Sequence, residues 1–403
     1  MRGNYKMENL NNLFSSSLEK IAYTIFEKIK FGNLRVIFPS KKIINFNGKN
    51  SGVCADINLH NFLVIGKFIK KGPIGFAESY MDCDFSTNDL TKLLIFLKMN
   101  ESTYIDYIKG KLFYKMLRKI YHYFNENTKS KSKKNISYHY DLGNNFYELW
   151  LDETMTYSSG LFNTEKDNLL EAQMNKYKKI TDSIKSQKHS SLLEIGCGWG
   201  SFTTYVAKNL ESKITAITNS KKHFEYTSKK IFNESLNEKV NIQFKDYREI
   251  DEKYDKIISI EMFEAVGIKY WPIYFEKIKK CLNNNGSALI QTITIDDYRA
   301  SFYQKNPDFI QQYIFPGGVL ASKKQLYEIT SSLGLELSET ISFGKSYAKT
   351  LNMWNNKFQN SWNRISKQGF SMRFKKMWEY YLSYCEAGFL TKTTDVSQFL
   401  IKF

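Results

Sequence analysis

The sequence predicts an α/β protein: a doubly wound, mostly parallel sheet in the larger C-terminal part, preceded by a smaller α/β module. Three observations carry this expectation. From Leu192 onward, short apolar runs alternate with helix-period segments, the pattern of parallel strands joined by crossover helices. The first run (Leu192, Leu193, Ile195) ends in three glycines spaced by two, Gly196, Gly198 and Gly200, and passes at once into the helical spacing of Phe202, Tyr205, Val206 and Leu210. A polar, basic stretch from Asn125 to Lys134 reads as a linker or mobile loop and divides the chain into residues 1–125 and 126–403.

Taken in order, Leu13, Leu18, Ile21, Ala22, Ile25, Phe26 and Ile29 recur at helical intervals and predict an amphipathic helix. Leu34 to Phe38 and Ile43 to Phe46 read as strands, and Asn47 to Gly52 as a turn. Val53 to Ile57 and Phe62 to Ile65 are strand-like. Gly72-Pro73-Ile74-Gly75 punctuates the chain, and Thr87 or Asn88 is placed to cap a helix carrying Leu90, Leu93, Leu94 and Leu97. A basic helical stretch spans Tyr104 to Phe124. Beyond the boundary, strands two to five are expected at Lys213–Ile217, Val240–Phe244, Lys256–Ile260 and Ser287–Thr292, with Asn283–Gly286 as the turn into the last. The intervening helices are Lys221–Phe232, Ile273–Leu282 and Lys323–Leu333. The stripe of Met372, Phe374, Met377, Trp378, Tyr381 and Leu382 predicts a helix that faces either core or a subunit interface.

With 58 Lys and Arg against 41 Asp and Glu, the formal charge of +17 attracts anionic partners, whether nucleic acid or an acidic membrane surface. No recognition helix, RNP aromatics or zinc finger accompanies that charge, so no nucleic-acid partner is expected. The five cysteines are scattered without a C-x-x-C pair, which argues against a disulfide framework or zinc site and fits a reducing compartment. No apolar run reaches the length of a membrane span and no signal-peptide core is present near Met1, so a cytoplasmic protein touching the membrane peripherally from the inner face is expected.

The strand ends form a consistent constellation, because an open α/β sheet presents its ligand residues there. The glycine turn lets backbone N–H groups approach a ligand, although such a turn also serves merely to join a strand to a helix. Its E-x-G-x-G-x-G spacing differs from the dinucleotide fingerprint and from a P-loop, and resembles the first motif of class I S-adenosylmethionine (SAM) methyltransferases. Thr218-Asn219-Ser220 offers hydroxyls and an amide, with His223 just beyond. Asp246 can accept from an adenine amine beside Tyr247. Glu261 and Glu264, three apart, share a face if their turn is helical, and either also makes sense as a helix cap. Gln291-Thr292-Ile293 ends the fifth strand. Cys197 reads as a small residue within the turn, and His139 has no metal-ligand companions, so no metal is expected.

Eight segments in order resemble the cyclopropane-fatty-acyl-phospholipid synthase family: GFAESYMD at 75–82, YHYDLGNNFYELWLDETMTYSSGLF at 138–162, LEIGCGWG at 193–200, KDYREI at 245–250, EMFEAVG at 261–267, QTITI at 291–295, DFIQQYIFPGGVL at 308–320 and FGKSYAKTL at 343–351. The resemblance implies a seven-stranded methyltransferase sheet and SAM held by Tyr157, Ser158, Glu194, Gly196, Gly198, Gly200, Thr218, Asn219, His223, Asp246, Tyr247 and Glu261. It further implies a bicarbonate ion acting as general base, bound by Ser159, Glu264, Gln291, the backbone of Ile293, and Tyr347. Ser159 and Gln291 depart from the usual Cys and His; both still donate hydrogen bonds, but the titratable imidazole is lost.

The reaction so implied joins the SAM methyl carbon to the cis double bond of an unsaturated, phospholipid-bound acyl chain. The resulting carbocation loses a proton to give a cyclopropane or, by loss elsewhere, a methylene-branched chain that a reductase converts to a methyl branch. Aromatic faces stabilise such a cation, with Tyr298, Phe302, Tyr313, Phe315 and Trp354 as the candidates. The segment from Asp296 to Ile365 is expected to cover the lipid, the N-terminal module to associate with lipid or membrane, and the assembly to be a homodimer. Small-molecule N-methyltransferases share the EMFE and TITI-like segments and form the rival reading.

Overall fold

The computed structural model describes residues 19–103, 142–185 and 188–403. The expected helix at 104–124, the linker at 125–134, the part of the signature containing His139, and the start of the first amphipathic stretch lie outside the described residues; residues 19–26 are helical. The chain divides into two compact units, residues 1–120 with 369–391 and residues 121–368 with 392–403.

The first unit is built on strands β1 (Phe31–Ile37), β2 (Ile43–Asn47), β3 (Asn50–Leu59) and β4 (Phe85–Ser86), in the order β2-β1-β3-β4. Strand β1 alternates buried Leu34 and Val36 with exposed Asn33 and Arg35, which turns one face of the sheet to the core. The apolar run at 62–65 is not a strand but the start of helix Leu63–Lys71. Val64, Ile65, Phe68 and Ile69 fall three and four apart, so a helix gathers them on one side where a strand would split them. Gly75 lies in the following helix, Pro73–Met81, and a Cβ there would sit 2.1 Å from the Lys67 carbonyl oxygen; only glycine permits this approach. Helix Leu90–Met99 is capped by Asp89, whose side chain accepts from the Lys92 N–H, rather than by Thr87 or Asn88.

Helix Met372–Leu390 groups with this first unit and not with the larger one, a correction to the expected division at 125/126. Its stripe is core: Trp378, Tyr381 and Leu382 are buried, and the helix lies against Pro73–Met81 and Leu90–Met99. Polar pairs set the placement, with Tyr80 Oη donating to Glu379 at 2.9 Å and Thr91 Oγ1 donating to Glu386 at 2.9 Å.

The second unit contains a seven-stranded sheet: β5 (Ser191–Ile195), β6 (Lys213–Thr218), β7 (Val240–Phe244), β8 (Tyr254–Ile260), β9 (Leu282–Ile295), β10 (Glu336–Ser342) and β11 (Thr394–Lys402), ordered β10-β11-β9-β8-β5-β6-β7. Strand β11 is antiparallel to both β9 and β10, and the pairs from β7 to β9 are parallel. Five strands and three helices thus stand where the periodicity placed them. The expected turn at 283–286 is instead an irregularity inside β9, where the pairing with β8 shifts between Leu282 and Ser287 and Asn283 Nδ2 donates to Asp255 at 2.8 Å.

Neighbouring residues on each central strand serve opposite cores, as the two-residue period requires. Leu193, Ile257 and Ile290 pack with helices Trp271–Cys281 and Lys323–Ser332. Leu192, Ile258 and Leu289 pack with helices Leu169–Ile184 and Ser201–Asn209 and with Ile231 of Lys221–Asn233. The chain runs from β5 outward through β6 and β7, then restarts on the other side at β8. The crevice at the C-terminal ends of β5 and β8 is therefore the switch point of the sheet. Among the described residues no helix is long and apolar enough to cross a membrane.

The buried Glu379 carboxylate accepts from Tyr80 and meets Lys376 at 3.0 Å and Lys375 at 3.4 Å. Glu379→Ala leaves these groups without their acceptor and is expected to destabilise the first unit by about 3 kcal/mol in urea unfolding. Tyr80→Phe is expected to cost about 1 kcal/mol. An unchanged midpoint for both variants would contradict this account.

Candidate active site

Strand β5 delivers the chain into a turn in which Gly196, Gly198 and Gly200 all have positive φ, 85°, 52° and 75°. A Cβ on Gly196 would lie 2.8 Å from Met262 Cγ, and one on Gly200 would lie 2.4 Å from Thr227 Cγ2, whereas one on Gly198 would meet nothing within 4 Å. The turn is thus packed at both ends and open in its middle. The N–H groups of Gly196 and Cys197 both donate to the Ile217 carbonyl at 3.0 and 3.1 Å, and Thr227 Oγ1 donates to the Gly198 carbonyl at 3.0 Å. Cys197 is buried and its thiol pKa is raised by burial, which suits a packing residue.

Gly196, Thr218, Asn219, Asp246 and Tyr247 line one cavity together with Met262, between the apolar walls of Ile217 and Val266. Aliphatic and aromatic walls, one carboxylate, a hydroxyl and an amide, with Lys245 and Arg248 also in the lining, fit a nucleoside-bearing cofactor. Arg248, which sequence reasoning passed over, fixes Asp246 by a two-point contact, Nε at 2.8 Å and Nη2 at 2.7 Å, while its guanidinium lies over the rings of Tyr247 and Tyr270.

Other residues assigned to the cofactor stand around this cavity rather than in its lining. Glu194 is 3% exposed within β5 and accepts a hydrogen bond from Thr203 Oγ1; burial pushes its pKa up to about 7. His223 packs edge-on against Trp199 with centroids 4.5 Å apart, and burial lowers its pKa to about 3, so the imidazole is neutral. Tyr157 sits in an aromatic box, 5.5 Å from Tyr147, 5.6 Å from Trp150 and 5.3 Å from Trp354. Ser158 is held by helix Leu169–Ile184: its hydroxyl accepts from Lys176 Nζ at 2.6 Å and its carbonyl from Gln173 Nε2 at 2.9 Å. Lys176 is fully enclosed, and burial lowers its pKa to about 7. Both residues were legible as polar interruptions in an apolar stripe of Leu169, Ala172, Ile180 and Ile184.

Glu261 belongs to the acidic half of the site and is absent from the cavity lining. Its φ is 49°, a left-handed conformation that costs a residue with a Cβ roughly 1 kcal/mol. Oε1 accepts from the Ser159 N–H at 2.9 Å and from Gln291 Nε2 at 2.8 Å, and Oε2 accepts from Tyr347 Oη at 2.5 Å. Burial nevertheless raises its pKa. Glu264 Oε1 accepts from the Ile293 N–H at 2.5 Å, while Oε2 is shut off from solvent with no partner. Burial and the neighbouring Glu261 push the Glu264 pKa up to about 8, which keeps this carboxyl protonated at neutral pH. Gln398, on the unanticipated β11, donates to Gln291 Oε1 at 3.1 Å and orients that amide.

A bound bicarbonate would need the donors of Ser159, Gln291, Ile293 and Tyr347. Glu261 already takes three of them and Glu264 the fourth, while the Ser159 hydroxyl donates instead to the Gly160 carbonyl at 2.8 Å. These residues do not fit an additional small anion. Among the described residues no cluster of His, Cys, Asp and Glu is arranged to hold a metal ion. Of the aromatics expected to face a cation, Trp354 is buried against Tyr157 and Tyr347, whereas Tyr298 and Phe302 are exposed.

Residues 127–399 match the family of the mycolic acid cyclopropane synthetases. The chain is 33% identical over 344 residues, 82% of this chain and 79% of the relative, to the tuberculostearic acid methyltransferase UfaA1 of Mycobacterium tuberculosis. It is 31% identical over 353 residues, 87% of this chain and 88% of the relative, to the cyclopropane-fatty-acyl-phospholipid synthase of Escherichia coli. The solved structure of mycolic acid cyclopropane synthase CmaA1 complexed with SAH and CTAB matches with a TM-score of 0.63 at 27% identity, covering 67% of this chain and 98% of that one. The chain belongs to the mycolic acid cyclopropane synthetase family and has the fold of the class I SAM-dependent methyltransferases.

Proposed function

We propose that this enzyme transfers a one-carbon unit from SAM to the cis double bond of an unsaturated, phospholipid-bound acyl chain, with a cyclopropane as the product. The observation that carries the reading is the enclosed Glu261–Glu264 pair beside the glycine-turn cavity. Methylating an amine needs no more than loss of the amine's own proton. A new C–C bond at an alkene leaves a carbocation, and such a site needs a carboxylate shielded from water to take a proton from carbon.

When bound, SAM supplies an electrophilic methyl group. The glycine turn, Thr218, Asn219 and Asp246 would hold the donor, and the packed rings of Tyr157 and Trp354 would exclude water beside it. Glu264, neutral, leaves the negative charge of the pair on Glu261. Helix Asp297–Lys305 exposes Tyr298 and Phe302 one turn apart next to Arg299 and Lys305, a combination suited to the interface of an anionic membrane. The lipid-associating role of the first unit belongs to the same reading. Similarity to the tuberculostearic acid methyltransferase supports a second reading, in which the product is a methylene- or methyl-branched chain.

Lipid analysis after incubation with SAM and monounsaturated phospholipid separates these products: ring protons in the NMR spectrum are expected, and branched chains alone would replace the cyclopropane reading by the second. Gly196→Ala sets a methyl group against Met262 at a φ of 85° and is expected to weaken S-adenosylhomocysteine binding by about tenfold or more in calorimetry. An unchanged Kd would detach the turn from the cofactor. Because the Glu264 pKa is raised in the folded state from 4.5 to about 8, this group takes stability away progressively as pH rises across that window. Glu264→Gln is therefore expected to raise the thermal midpoint at pH 8 and to bring it closer to wild type near pH 4.5. A variant less stable at both pH values would refute the buried-proton assignment.

A further inference from the structure

We propose that the Glu261 carboxylate is itself the general base, standing in the place of an exchangeable bicarbonate ion. The inference rests on the reading of the site as one that alkylates an unsaturated acyl chain. Ser159 N–H and Gln291 Nε2 converge on one carboxylate oxygen at 2.9 and 2.8 Å, and Tyr347 Oη reaches the other at 2.5 Å. Three donors from three separate elements are the cradle of an anion, and the anion they hold is part of the chain. A second anion in the same place would meet both the volume and the charge of the first.

The surroundings are arranged to keep this carboxylate in position. Gln398 Nε2 occupies Gln291 Oε1 at 3.1 Å, so the Gln291 amide presents its N–H to Glu261. The Glu261 N–H donates to the Gln291 carbonyl at 2.8 Å, which anchors the residue at its φ of 49°. Glycine would make that bend without strain, so the turn alone gives no reason for a glutamate; the side chain does. Glu264 alongside keeps its proton, and enclosed Lys176 lies near enough to favour a negative charge on Glu261.

The step balances without an oxidant or reductant. Once the methyl carbon has bonded to one alkene carbon and S-adenosylhomocysteine has been released, the other alkene carbon is cationic. A C–H bond of the methylated chain breaks. Its electron pair stays with carbon, closing a cyclopropane C–C bond or forming a C=C bond, and the proton passes to Glu261 and from there to solvent.

The test uses the full chain as wild type, Glu261→Gln and Glu261→Gly; glycine suits the local φ, and the glutamine variant keeps the side-chain volume. Binding of ¹³C-bicarbonate to each S-adenosylhomocysteine complex is followed by ¹³C NMR, which requires no lipid. Wild type and Glu261→Gln are expected to bind none, and Glu261→Gly to bind it. Turnover of SAM with vesicles of monounsaturated anionic phospholipid is measured in bicarbonate-stripped buffer. Wild-type turnover is expected to stay within about twofold when bicarbonate is restored, Glu261→Gln to lose about a hundredfold or more, and Glu261→Gly to lose as much but recover about tenfold with added bicarbonate. Bicarbonate binding to wild type, stimulation of wild type by bicarbonate, or near-normal turnover by Glu261→Gln overturns the proposal. Failure of wild type to alkylate any vesicle lipid overturns the functional reading instead, and the NMR arm still decides whether Glu261 fills the anion's place.

Discussion

Taking a carboxylate out of water at the open end of a parallel sheet is the constraint on which the larger unit depends. An enclosed charge of this kind is tolerated only when hydrogen bonds replace its hydration. Glu261 obtains them from the segment around Ser159, from Gln291 on β9 and from Tyr347 on helix Gly344–Asn360. Elements far apart in sequence are thereby fixed to one another through a single side chain. The same logic extends outward: Gln398 holds Gln291, Thr350 Oγ1 accepts from the Gly160 N–H at 3.0 Å, and Lys176 holds Ser158. Polar satisfaction, more than apolar packing, defines the shape of this end of the sheet.

The carboxylates of Glu261 and Glu264 end up with different partners, and the three donors on Glu261 oppose the upward push of burial that it shares with Glu264. Glu264 has one N–H donor and an unpartnered oxygen, so burial dominates. Glu261 has three donors that oppose the effect of burial. Two groups of the same type, three residues apart, are thus given different surroundings by the fold alone.

Much of this was legible in the chain before folding was considered. Alternating apolar runs located β5 to β9, and Gly196, Thr218 and Asp246 after the first three line the cavity, with Glu261 and Gln291 joined to each other by a hydrogen bond. What escaped had physical reasons. Strand β10 reads ELSETIS, with too few apolar residues to stand out, and β11 follows a helix that belongs to the other unit. The four-residue run at 62–65 has no period of its own, and only its continuation to Ile69 decides for a helix. The spacing put Glu261 and Glu264 on one face only if their turn is helical, and the left-handed φ of 49° at Glu261 removes that condition, which spacing cannot reveal.

The order in which the chain visits its two units also bears on how the protein can be made. It leaves the larger unit after Gln368, contributes helix Met372–Leu390 to the smaller one, and returns to lay β11 between β9 and β10. The sheet therefore stays split, with β10 unpaired, until Thr394–Lys402 has cleared the ribosome. During synthesis the nascent chain exposes two unsatisfied strand edges, and Gln291 has no Gln398 to orient it. Completion of the site thus waits for β11 to dock, and until then the exposed edges of β9 and β10 are open to pairing with another chain.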